Sequence, residues 1–157
     1  MNNWIFRADP HEASVEELLA GHFIQRQPLS WPVRQHRDYV REGDSAYIWY
    51  ADPLGDGSIV AKATVVTPVR IKTPHLMETS MFMDVLPGPR VDLHIEDLRL
   101  TPGGGRVPKA LLLAHPTLRL LPILRWDMWY DWPLSDIEAR DLDAVWIEAK
   151  PGRFKML

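Results

Sequence analysis

Prolines interrupt this chain at intervals too short for long helices. There are 14 in 157 residues, and six of them stand in close pairs: Pro87 and Pro89, Pro102 and Pro108, and Pro116 and Pro122. A proline inside a helix removes a backbone hydrogen bond and clashes with the preceding turn. The pattern therefore predicts strands and rigid connectors rather than a helical bundle.

Hydrophobic periodicity and turn residues predict the order of the elements. Strands are expected at 4–6, 46–50, 59–69, 91–100 and 124–129. Helices are expected after a capping box at 14–17 and ending at Gly21, then at 32–40, 109–113 and 116–121, and after a second capping box at 135–138. Because strands do not alternate with long helices, a parallel sheet is not expected. We predict one α+β domain over residues 1–157, a curved, mostly antiparallel β-barrel with short flanking helices.

Composition limits the possible chemistry and location. The chain has no cysteine, which excludes disulfides, thiolate zinc sites and cysteine nucleophiles. We find no signal-peptide pattern and no apolar stretch long enough to span a bilayer, and we expect a cytoplasmic or nucleoid-associated protein. The formal net charge of −3 gives no overall basic footprint for nucleic acid, so any such binding would need a local basic patch.

No catalytic motif is found. The six histidines lack metal-ligand spacing, and Gly103-Gly104-Gly105 does not fit a phosphate-binding loop between a strand and a helix. No nucleophile elbow and no paired acidic motif for two-metal chemistry is present. We therefore expect no enzymatic activity, no metal and no cofactor.

Aromatic residues fall at the ends of predicted strands and in the adjoining loops. Such rings can build an aromatic cage for a flat base, because every base has a π face. The predicted base-binding residues are Trp31, Trp49 and Tyr50, with Ala8, Asp9 and Pro10 at the rim and Asp9 or Asp52 as acceptors for a cytosine amino group. Each aromatic residue also has a plain interpretation as core, and Asp9 as a turn residue before Pro10.

Four arginines are candidates for contacting phosphates: Arg26, Arg34, Arg37 and Arg41. The last three share one face of the predicted 32–40 helix and its end by the three- and four-residue rule. The alternative is a solvated face on which these arginines pair with Asp38 and Glu42.

Several short motifs, in order along the chain, resemble the EVE domain, a PUA-like family related to the YTH domain. The matching segments are Asn3-Trp4-Ile5-Phe6-Arg7-Ala8-Asp9-Pro10, Trp31-Pro32-Val33-Arg34-Gln35, Gly43-Asp44-Ser45-Ala46-Tyr47-Ile48-Trp49, Gly57-Ser58-Ile59-Val60-Ala61-Lys62-Ala63, Val91-Asp92-Leu93 and Leu134-Ser135-Asp136-Ile137-Glu138. The chain departs from the pattern at Ala8, where many relatives carry serine, and in the aromatic-rich segment 125–132.

The resemblance implies a PUA-like barrel that reads a modified base without chemistry. The most direct ligand that the resemblance implies is a modified cytosine in DNA, flipped into the aromatic pocket. A separate restriction-type nuclease is a candidate partner. Two alternatives remain open at this stage. One is a small ASCH-like enzyme acting on nucleotides or RNA, which needs a titratable group with a perturbed pKa inside the pocket. The other is a peptide-interaction module, which an apolar groove without a basic rim would favour.

Overall fold

The computed structural model describes residues 1–8, 15–51, 57–72, 88–101, 103–125 and 130–150. Their helices are α1 (Val15–Gln25), α2 (Lys109–Leu113) and α3 (Asp136–Glu148), with 3-10 turns at Leu118–Leu120 and Pro122–Leu124. Their strands are β1 (Asn3–Ala8), β2 (Leu29–Pro32), β3 (Ser45–Tyr50), β4 (Ser58–Val65), β5 (Arg70–Lys72), β6 (Gly88–Leu98), β7 (Val107–Pro108) and β8 (Asp131–Leu134).

The eight strands form one mixed sheet that curls into a half-barrel. The main path runs β2-β6-β4-β3-β1-β8, with β5 paired to β6 and β7 paired to β4. Among these pairs β1 and β3 run parallel and the others antiparallel. The predicted α+β class, with a curved and mostly antiparallel sheet, is confirmed.

Each face of the sheet has its own apolar core. Side chains alternate between the faces of a strand, so Phe6 and Ala8 of β1 join the first core while Ile5 joins the second. The first core lies under α1, which contributes Leu18 and Leu19. The second core contains side chains from α2, the two 3-10 turns and α3.

The C-terminal helix begins as the sequence predicts. The hydroxyl of Ser135 accepts from the backbone N–H of Glu138, and the Glu138 carboxylate accepts from the backbone N–H of Ser135. This reciprocal pair satisfies two N–H groups that the first turn leaves without helical partners. Leu142 and Trp146 then bury one side of α3 in the second core. The other capping box, at 14–17, begins outside the described residues.

Several predicted boundaries are wrong. Helix α1 does not stop at Gly21 but continues to Gln25, since an unhindered glycine is tolerated inside a helix. The strand expected at 59–69 ends at Val65, and the helix expected at 116–121 is a 3-10 turn. Of the strand expected at 124–129, Leu124 instead ends the second 3-10 turn, and residues 126–129 lie outside the described residues. The next described strand is β8.

The helix expected at 32–40 is also absent. Residues 29–32 form β2, in which Trp31 pairs with Val91 of β6, and an irregular segment follows. Pro32 suits the first turn of a helix, but it equally suits the end of a strand at the sheet edge. The sheet pairing decides between the two.

Candidate nucleic-acid interface

A buried carboxylate holds the irregular segment that follows β2. Asp131, at the start of β8, is fully buried and accepts backbone N–H bonds from Arg34 (2.7 Å), Gln35 (3.1 Å) and His36 (2.8 Å). Its Oδ1 also lies 2.7 Å from Nδ1 of His36. The Gln35 amide oxygen in turn accepts from the backbone N–H groups of Tyr130 (3.2 Å) and Asp131 (3.4 Å).

These bonds join the two ends of the half-barrel, because β2 and β8 stand at opposite ends of the main strand path. The His36 ring packs at the same junction, 5.5 Å from the Trp4 ring and edge-on to Trp132 at 6.3 Å. The backbone of residues 34–36 is therefore fixed even though it belongs to neither a helix nor a strand.

Beside this segment lies a cleft of about 260 Å³, which we call the arginine cleft. Its lining residues come from the end of β2, the segment after it and the start of β6: Pro32, Val33, Arg34, Arg37, Gly88, Pro89 and Arg90. A backbone hydrogen bond from Val33 N–H to the Pro89 carbonyl (3.0 Å) ties its two sides together. Three arginines thus line one small cleft of a chain whose net charge is negative.

Two of these arginines have defined supports. Arg90 is only 3% exposed, and its Nε donates to the Ser30 hydroxyl (2.6 Å) while Nη2 donates to the Ser30 carbonyl (3.2 Å). The Arg34 guanidinium lies over the Tyr130 ring, 4.6 Å from its centroid, and Arg7 approaches the same ring at 5.8 Å. Stacking on an aromatic face limits the freedom of a guanidinium without neutralising its charge.

Three predicted base-binding residues lie on the face of the sheet that carries the first core. Ala8 and Tyr50 are register partners at the ends of β1 and β3. Ala8 and Trp31 belong to the first core, and the half-buried Tyr50 packs against it. The Trp31 indole is 1% exposed, so it is covered in this ligand-free chain.

Trp49 does not join them, which corrects the expectation that it lines the same pocket. Residues 49 and 50 are neighbours in β3, so their side chains point to opposite faces. Trp49 lies in the second core at 4% exposure. Its ring covers Gly57, where a Cβ atom would come within 2.5 Å of the indole.

The remaining predicted residues are scattered or undescribed. Asp9, Pro10 and Asp52 lie outside the described residues. Arg26 lines a different cleft, of about 460 Å³, between α1 and β6. Arg41 is exposed in the turn before β3, where its backbone N–H bonds to Asp44, and it is not among the residues that line the arginine cleft. Arg34 and Arg37 do come together, although not on a helix as predicted.

The groups with clearly shifted pKa values lie elsewhere. Burial, the hydrogen bond to Asp143 and its charge raise the pKa of Tyr47 well above its ordinary range. Partial burial on its own would raise the pKa of Asp143, but hydrogen bonds from Lys62 and Tyr47 outweigh it, so the net pKa is lowered. Both donors reach Asp143 Oδ1 at 2.6 Å. This cluster lies where α3 meets β3 and β4, and none of its members lines either described cleft.

The part of the chain that is described contains no group of three or more histidine, aspartate or glutamate side chains placed to hold a metal ion. Within the same residues no helix is both long and apolar enough to cross a membrane.

The comparisons with known proteins agree with this geometry at the level of fold. No family model and no curated protein matches the sequence. Among solved structures, the human THYN1 protein in complex with 5-methylcytosine-containing DNA is similar, with a TM-score of 0.64 and 16% identity over 93% of this chain and 98% of that one. The YTH domain of Zygosaccharomyces rouxii MRB1 in complex with N6-methyladenosine RNA matches with a TM-score of 0.56 and 9% identity, covering 92% and 86%.

Rpa0253 from Rhodopseudomonas palustris is also similar, with a TM-score of 0.65 and 18% identity over 98% of each chain. The chain has the PUA-like fold of the EVE and YTH domains. The fold that the ordered motifs imply is thereby confirmed.

Sequence reasoning missed three residues of this PUA-like domain that shape the candidate site. Arg90 comes just before the strand predicted at 91–100, and nothing in the sequence indicates that it is buried. Tyr130 and Asp131 stand in the aromatic-rich segment that departs from the EVE pattern. This departure was the one sequence signal that pointed to Tyr130 and Asp131. In the structure both of them contact Arg34 of the arginine cleft.

Proposed function

We propose that this chain is a non-catalytic reader of a modified base in a nucleic acid, most directly a modified cytosine in DNA. The observation that carries the proposal is the arginine cleft, which adjoins the β2 strand bearing Trp31 in a PUA-like half-barrel. Two chains of this fold were solved with a methylated nucleic acid. A basic cleft also distinguishes the chain from a module that binds an apolar peptide.

Base capture would take place on the face of the sheet that carries the first core. A flipped base must regain the few kcal/mol lost on leaving the duplex stack, and stacking on one aromatic ring is worth roughly 1–3 kcal/mol. We assign that ring to Trp31, with Tyr50 and Ala8 beside it. Since Trp31 is covered in the ligand-free chain, binding must uncover it. Asp9 or Asp52 would accept a hydrogen bond from the cytosine amino group.

The modification itself adds a smaller increment. Burying one methyl-sized group contributes about 0.8 kcal/mol, which corresponds to roughly fourfold in affinity. Selectivity beyond that requires polar contacts that the unmodified base cannot satisfy. Because a reader performs no chemistry, a separate effector such as a restriction-type nuclease would act on the recognised site, in the cytoplasm or at the nucleoid.

The test is a binding panel of matched oligonucleotides, in DNA and in RNA, with cytosine, 5-methylcytosine, adenine or N6-methyladenine at one position. We expect the tightest binding to 5-methylcytosine DNA, by at least fourfold over cytosine, and an unchanged oligonucleotide mass after incubation. Equal affinity across the panel would show that the chain is not a modified-base reader. A cleaved or altered oligonucleotide would instead favour the enzyme alternative.

A further inference from the structure

We propose that the arginine cleft binds one phosphate group of the nucleic acid whose base is read, with Arg34 and Arg37 as its ligands and the buried Arg90 in its wall. This inference rests on the proposed function and adds the site at which the backbone is held. A volume of about 260 Å³ falls below the range of roughly 300–1,000 Å³ that is typical of pockets for drug-sized ligands. The cleft therefore suits a phosphate rather than a whole nucleotide.

The donors in the cleft are planar guanidinium groups, which suit an anion that accepts two parallel hydrogen bonds. Guanidinium groups match the geometry of phosphate oxygens, and they remain charged at every accessible pH. Pro32 and Pro89 have no backbone N–H to offer, and the N–H groups of Val33 and Arg34 already bond to the Pro89 carbonyl and to Asp131. The arginine side chains are the charged donors of the cleft. Within the described residues, neither Arg34 nor Arg37 forms an ion pair with a carboxylate.

The cleft is also preorganised. Ser30 holds the buried Arg90 through two hydrogen bonds. Tyr130 supports the Arg34 guanidinium, and Asp131 fixes the Arg34 backbone at 2.7 Å. Holding the donors in place before binding reduces the entropy that the complex must lose.

Further positive charge borders the same cleft. Arg70 of β5 is the register partner of Arg90, and Lys72 is the partner of Gly88. Arg70 and Lys72 share the single carboxylate of Asp92, each at 3.5 Å. Arg70 and Lys72 therefore place further cationic groups on the strand that pairs with the start of β6.

The test measures binding of the full chain and of Arg34→Gln and Arg37→Gln to 5-methylcytosine and cytosine DNA at several salt concentrations. We expect each variant to weaken binding to both oligonucleotides by the same factor, about tenfold. The slope of log affinity against log salt should lose about 0.7–0.9 for each contact removed. Arg37→Lys should recover part of the affinity that Arg37→Gln loses, since lysine keeps the positive charge but lacks the two parallel N–H donors of the guanidinium.

Arg119→Gln is the matched control, because Arg119 is exposed and lies on a 3-10 turn of the second core, outside the arginine cleft. A comparable loss in this variant would overturn the cleft as the phosphate site. If Arg34→Gln and Arg37→Gln bind like the parent and keep the base preference, the cleft is not the phosphate site, but the proposal of a modified-base reader is retained. If both variants weaken binding equally and the chain shows no base preference, the cleft is the phosphate site and the proposal of a modified-base reader is wrong.

A second arm separates a nucleic-acid phosphate from a free anion. The thermal midpoint is measured with inorganic phosphate at constant ionic strength, for the parent and for Arg37→Gln. A weak rise in the parent only, together with competition against the oligonucleotide at millimolar phosphate or above, supports a site for a backbone phosphate. Saturation by inorganic phosphate well below millimolar would overturn it in favour of a free-anion site.

Discussion

The Asp131 carboxylate lies 2.7 Å from Nδ1 of His36, across 95 residues of sequence. The same carboxylate takes the backbone N–H groups of residues 34–36. The two ends of the half-barrel are therefore joined by side chain and backbone rather than by a continuous ladder. This contact connects the closure of the fold to the position of Arg34.

Replacing Asp131 should destabilise the fold and weaken nucleic-acid binding together. Asp131→Ala leaves three N–H groups without their acceptor, at a cost of roughly 1–3 kcal/mol for each that stays buried. Asp131→Asn should cost less, because one side-chain oxygen remains. Urea unfolding measures the loss, with the exposed Asp38→Asn as control. An unchanged unfolding midpoint in Asp131→Ala would contradict the closing role.

Trp31 and Trp49 should respond differently to substitution. Truncating either buried indole to alanine would cost roughly 3–5 kcal/mol, so phenylalanine is the useful replacement. We expect Trp31→Phe to weaken binding to modified and unmodified oligonucleotides severalfold, because stacking area is lost. Trp49→Phe, on the opposite face, should leave affinity unchanged. Equal weakening in both variants would mean that Trp31 does not form the stack.

Gly57→Ala should destabilise the chain by at least about 1–3 kcal/mol. Gly57 has a φ of 95°, and an added Cβ would lie 2.5 Å from the Trp49 ring. Gly21→Ala is the matched control, because it lies inside α1 with open space around it and should stabilise by roughly 0.5–1 kcal/mol. Thermal unfolding of both variants checks the pair. Similar midpoints for the two would refute the close packing at Gly57.

The Asp143 cluster predicts how stability depends on acid. The folded-state pKa of Asp143 is lowered, so the unfolded chain binds its proton first as the pH falls. The stabilisation by the Asp143 carboxylate is complete at neutral pH. It is lost as the pH falls below about 5 and through the pKa of Asp143 in the folded chain. Since the Asp143 side chain is 41% exposed, we expect less than about 1 kcal/mol.

Asp143→Asn should therefore flatten the dependence of the unfolding free energy on pH below 5. Urea unfolding at a series of decreasing pH values measures this dependence. Asp136 is left unchanged in the variant, so that the acidic charge at the N-terminus of α3 is the same as in the parent. A variant whose curve parallels that of the parent would show that the Lys62–Asp143–Tyr47 contacts do not contribute.

Local sequence signals determined much of the architecture. The Ser135–Glu138 capping box, the alternation along β6 and the strand around 46–50 each depend on neighbours within a few residues, and each appears in the structure. The ordered motifs identified the PUA-like fold for the same reason. Boundaries failed where tertiary contacts compete with local preference, as at Pro32, which β6 holds in a strand.

Only the tertiary structure decided which side chains meet. The sequence grouped Trp49 with Trp31 because both lie near strand ends, but alternation and sheet curvature place them in different cores. It paired Arg34 with Arg37 on a helix that does not form, and it gave no sign that Arg90 would join them. These contacts depend on how the half-barrel closes through Asp131, and that closure joins residues far apart in the chain, beyond the reach of any local pattern.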